Sequence, residues 1–126
     1  VLEHFVERTG LDFQRELEKS VWKAATALGF KSSTSDEDRA GAVELELKKE
    51  SFRLQASFMR FFDRPWFRMR LVHPLKNGFR QLELGSGELE PAKFRAALTE
   101  ATKTLTTEGP RLMEDPENYK PPRSRR

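Results

Sequence analysis

A chain of 126 residues, 37% hydrophobic and 34% charged, supports one modest core; ten phenylalanines and two tryptophans are too many for a disordered, solvated chain. It contains no cysteine, which excludes disulfides, thiolate metal sites and thiol nucleophiles, and no apolar run approaches the roughly 20 residues of a bilayer span. The formal charge of +3 belongs to the last seven residues, where Lys120, Arg123, Arg125 and Arg126 meet no acid; 19 basic and 20 acidic residues precede them.

Thr9-Gly10-Leu11-Asp12 predicts a helix start, with Thr9 as N-cap and Asp12 reaching back to it. Phe13, Leu17, Val21, Ala24 and Leu28 then recur at three-to-four spacing as one apolar stripe, and Gly29 stops the helix. Leu2, Phe5 and Val6 suggest a short preceding turn against the same core, and no signal-peptide pattern is visible there. The polar run 31–41 (KSSTSDEDRAG) has no periodicity and reads as a flexible loop.

Four period-two segments follow, each a strand with one buried face. Val43, Leu45 and Leu47 alternate with Glu44, Glu46 and Lys48; Phe52, Leu54, Ala56 and Phe58 with Arg53, Gln55, Ser57 and Met59. Phe67, Met69 and Leu71 alternate with Arg68, Arg70 and Val72, and Leu82 and Leu84 with Gln81 and Glu83. A turn at Glu50-Ser51 sets Leu47 opposite Leu54 and Val43 opposite Phe58. A loop over 63–66 sets Phe58 opposite Leu71, and a turn at Asn77-Gly78 sets Leu71 opposite Leu84. Pro74 predicts a break or bulge before that last turn. Pro91 then opens a second helix with Phe94, Ala97, Leu98, Ala101 and Leu105 as its stripe, ended by Gly109-Pro110.

The expected fold is α+β: helix, four-stranded antiparallel meander, helix (α-β-β-β-β-α), both helices on one sheet face, within a single domain over 1–109. Residues 110–126 are expected to be a disordered Pro/Arg-rich tail. At the level of fold alone this order resembles RWD-like protein-interaction domains and kinase-associated lipid-binding domains. No motif residue of either is matched, and fold likeness does not set function.

The stretch 52–72 holds five arginines, five phenylalanines and Trp66. The alternation sends Phe52, Phe58, Phe67 and Phe62 to the core. On the reverse face the predicted register places Met59 opposite Arg70 and Phe61 opposite Arg68, with Trp66 and Phe79 at the hairpin tips. Arginine among large apolar groups marks the anchor-rich centre of protein interfaces and also suits single-stranded nucleic acid. Cross-strand pairing with Glu44, Glu46 and Glu83 is the plain structural reading of the same face.

Catalytic chemistry is thin. His4 and His73 have no partner at metal spacing. Ser86 lies between glycines without a base, and GSGELE (85–90) lacks the lysine of a phosphate loop. The sequence therefore predicts a non-enzyme needing no cofactor: an intracellular interaction module docking a protein partner or a second copy of itself. Its expected contact residues are Arg53, Met59, Phe61, Trp66, Arg68, Arg70 and Phe79. The alternative is a single-stranded nucleic-acid binder using that face with Arg123, Arg125 and Arg126, a tail that also suits an anionic membrane surface. Ser33, Thr34 and Ser35, each three residues before an acid, form a weak modification motif.

Overall fold

The computed structural model describes residues 12–32, 37–39, 42–61 and 64–120, excepting the side chains of 37–39, 42, 43, 60, 61 and 64. The expected Thr9 cap and the turn over 1–8 lie outside these residues. Asp12 is itself the N-cap of α1 (Phe13–Lys19), accepting the Arg15 N–H at 3.1 Å. The single predicted helix is two. Ser20 leaves helical geometry (φ −124°, ψ −92°), and α2 (Val21–Ala27) restarts after it. Gly29 ends α2 with φ +102°, and the Lys49 ammonium binds the freed Leu28 carbonyl at 2.7 Å.

Six strands form one antiparallel sheet: β1 (Lys31–Ser32), β2 (Glu37–Arg39), β3 (Ala42–Lys49), β4 (Phe52–Phe61), β5 (Arg64–Leu75) and β6 (Gly78–Glu88). The predicted meander is β3 to β6. The run 31–41, expected to lack structure, instead supplies β1 and β2, which pair with opposite ends of β3 and cover its outer edge. Backbone pairing needs no apolar side chain, so periodicity could not reveal these strands.

The registers are partly as expected. Leu47 faces Leu54 and Val43 faces Phe58 across the Glu50-Ser51 turn, whose Glu50 takes a left-handed φ of +54°. Phe58, however, pairs with Phe67, not Leu71, and Leu71 pairs with Leu54. The β4–β5 connection is tighter than 63–66, because Pro65 and Trp66 are already in β5. Proline is tolerated there, close to the strand start. Likewise Leu75 pairs with Gly78, so the last turn is Lys76-Asn77 and Leu71 faces Leu82 rather than Leu84. Pro74 stays within β5; the bulge lies at Met69/Arg70, where Leu84 is the extra residue. Beyond it, the strand passes beneath the next helix at Gly85, where a Cβ would meet that of Ala97 at an ordinary contact distance of 3.8 Å.

That helix, α3 (Pro91–Glu114), runs through Gly109-Pro110. Pro110 forfeits one helical hydrogen bond, but burial of Leu105 and Leu112 carries the helix onward, and Gly109 packs under Leu28. The helices lie on one sheet face. Their meeting point is an aromatic cluster in which Phe94 stands 5.0 Å from Phe13, 5.2 Å from Phe67 and 6.0 Å from Phe58.

The domain does not end at 109. Asp115–Lys120 folds back, with Tyr119 only 6% exposed and its hydroxyl donating to buried Glu108 at 3.0 Å. Arg80 fastens the same segment by donating to the Pro116 and Glu117 carbonyls. Desolvation, reinforced by the Glu108 hydrogen bond, raises the Tyr119 hydroxyl from 10.0 to about 12. A raised folded-state value means that stability is fully present below pH 10 and is lost as pH climbs toward 12. Tyr119→Phe is expected to flatten that alkaline slope relative to the unaltered chain in denaturant titrations across this range; identical slopes would refute the linkage. At neutral pH the loss of the bond costs about 1–2 kcal/mol.

Candidate docking face

Alternation puts Arg53, Gln55, Ser57 and Met59 of β4 on the face away from the helices, with Trp66, Arg68, Arg70, Val72 and Pro74 of β5 beside them. β6 contributes Phe79, Gln81 and Glu83. Among the described residues no helix covers this face. Trp66 (39%) and Phe79 (60%) are the large hydrophobic side chains described as exposed, and they stand at opposite ends of it.

The pairings on the face differ from those expected. Met59 lies opposite Trp66 rather than Arg70, and Phe61 opposite Arg64 rather than Arg68. Arg70 faces Gln55, and Arg68 faces Ser57. The shift is four residues, an even number, so each residue keeps its predicted face while losing its predicted neighbour.

A hydrogen-bonded ladder crosses four strands at the centre of the face. Gln55 donates to the largely buried Glu46 at 3.1 Å and accepts from Arg70 Nε at 3.0 Å. Arg70 also donates to Gln81 Oε1 at 3.2 Å, and Gln81 donates to Glu83 at 3.0 Å. Arg68 closes the ladder with Nε and Nη2 on the Glu83 carboxylate at 3.0–3.3 Å. These hydrogen bonds hold the Arg68 guanidinium above its ordinary pKa, so it stays charged. With both partners about two-fifths exposed, the pair contributes at most about 1 kcal/mol. The ladder's main effect is to fix the Arg68 and Arg70 side chains in place.

Toward the Glu50-Ser51 and Lys76-Asn77 turns the face becomes a concavity of about 780 Å³. Arg53 and Arg70 line it with Val72, Pro74 and Phe79, joined by Lys48. Lys48, Val72, Pro74 and the glutamines of the ladder were not singled out by composition, although the same alternation would have found them. Among the described residues no group of three or more His, Asp or Glu is placed to hold a metal. The side chain of Phe61 lies outside the described residues, as do Arg123, Arg125 and Arg126 of the tail and Ser33, Thr34 and Ser35.

The described residues form a two-layer α+β arrangement in which no described helix covers the outer face of the sheet. No family model, no curated protein and no solved structure matches the chain. No helix among the described residues is long and apolar enough to cross a membrane.

Proposed function

We propose that this chain is a non-catalytic interaction module that docks a protein partner through the outer face of its sheet. One observation carries the reading: a four-strand surface that no described helix covers, whose Arg68 and Arg70 are already ordered by the Glu46–Gln55–Arg70–Gln81–Glu83–Arg68 ladder, with Trp66 and Phe79 exposed at its ends. Ordered arginines and aromatic anchors are what interface centres use, because little side-chain entropy remains to be lost on binding. The same ladder weakens the nucleic-acid alternative. Arg68 is neutralised by Glu83 and Arg70 is engaged by two glutamines, so the centre of the face offers little uncompensated charge to a phosphate backbone. A chain without cysteine suits a reducing, intracellular compartment.

Photo-crosslinking residues placed at positions 66 and 79, with position 103 on α3 as control, test this in cells. The expected adduct is one protein, captured at 66 and 79 and not at 103, whose purified form binds the chain. Trp66→Ser with Phe79→Ser should then weaken its binding at least about tenfold. Nucleic-acid adducts at both positions, or none, would reject the reading.

A further inference from the structure

Lys31, Lys48 and Arg53 stand side by side across β1, β3 and β4, since Lys31 pairs with Lys48 and Lys48 with Arg53. All three are exposed, and none makes an ion pair or side-chain hydrogen bond among the described residues. Like charges directly opposite one another destabilise a sheet. Elsewhere on the same face Glu46, Glu83, Arg68 and Arg70 are tied into the ladder, which sets this unbalanced row apart.

Lys48 and Arg53 of the row line the 780 Å³ concavity on one side, and Val72, Pro74 and the exposed Phe79 line it on the other. From β4 to β6 is two strand spacings, about 10 Å. An extended peptide turns successive side chains to opposite sides, so one running along the concavity sends its acidic positions to Lys48 and Arg53 and its alternating apolar positions to Phe79.

We infer that this concavity binds an acidic-apolar peptide segment of the docked partner, its carboxylates on Lys48 and Arg53 and its apolar side chain on Phe79. The inference rests on the docking reading above and names the kind of segment that the basic end of the face selects. A peptide fits better than a nucleic-acid strand. The row is short, Glu50 lines the same concavity and Glu46 lies in the next row, so a following phosphate would meet carboxylates, and Phe79 supplies a single stacking platform.

The test titrates the full chain with a fluorescein-labelled peptide of alternating glutamate and leucine. Parallel titrations use its glutamine-for-glutamate and serine-for-leucine versions and labelled oligodeoxythymidylate. Both altered peptides should bind about tenfold more weakly than the parent. Lys48→Ser with Arg53→Ser, and separately Phe79→Ser, should each weaken parent-peptide binding by a similar factor, while Lys103→Ser on α3 leaves it unchanged. These side chains are exposed, and thermal melts confirm that each variant is folded. Failure of the unaltered chain to bind the peptide, or binding indifferent to the Lys48 and Arg53 changes, overturns the proposal. So does tighter binding of the oligonucleotide. Failure of the docking face itself would instead appear as absent protein adducts at 66 and 79.

Discussion

Phe58→Ala is expected to lower stability by about 3–5 kcal/mol, the usual cost of truncating a buried phenylalanine. Phe58 has no exposed surface and sits where sheet and helices meet, 5.7 Å from Phe13 and 6.0 Å from Phe94, with Phe67 as its cross-strand partner. Three of those rings come from separate elements on either side of the core, so none can relax into the space without moving a helix from the sheet. The lost transfer energy is therefore joined by a cavity that stays open. Against a total stability of about 5–15 kcal/mol for a domain of this kind, one such change approaches the folding threshold. Denaturant titration with an unchanged m-value measures it. A cost below about 1 kcal/mol would mean that Phe58 is not at the centre of the core.

Truncation after Gly109 is expected to be at least as damaging. It removes the last turn of α3 with fully buried Leu112, removes Tyr119, and leaves buried Glu108 without its Tyr119 and Arg111 donors. The Leu112 and Tyr119 side chains would each account for about 2–4 kcal/mol of burial and cavity cost. The orphaned carboxylate adds a desolvation penalty of its own. The expected outcome is a chain that is largely unfolded at room temperature by circular dichroism. Truncation after Lys120 preserves every described contact and should melt with the full chain. A cooperative melt of the 1–109 fragment close to that of the full chain would show that the Tyr119–Glu108 segment contributes nothing to the fold.

The sequence by itself determined the four long strands of the sheet, β3 to β6, and their faces. Strict alternation in Phe52–Met59 and Phe67–Val72 left no freedom in which residues turn inward, because a one-residue slip would place arginine in the core. For the same reason Arg53, Arg68, Arg70, Trp66 and Phe79 fall on one surface by alternation alone. Helix stripes were equally plain in Phe13, Leu17 and Val21 and in Phe94, Leu98 and Leu105, though alternation and periodicity say nothing about a break such as Ser20.

Which residues are neighbours was left to the tertiary structure. Register along a strand changes in steps of two without altering the buried face, so periodicity permits Phe58 to face either Phe67 or Leu71. The turn length between β4 and β5 selects the former. From that selection follow the partners of Arg70, and hence the ladder that holds it. Long-range packing also overruled two local signals. Gly109-Pro110 reads as a helix end, yet Leu112 and Tyr119 reach buried sites only if α3 continues past it. The polar run 31–41 carries no apolar pattern, yet β1 and β2 form because the edge of β3 offers unpaired backbone groups to whatever chain passes beside it. β1 brings Lys31 alongside Lys48, and that neighbour relation, invisible along the chain, is what makes the basic row.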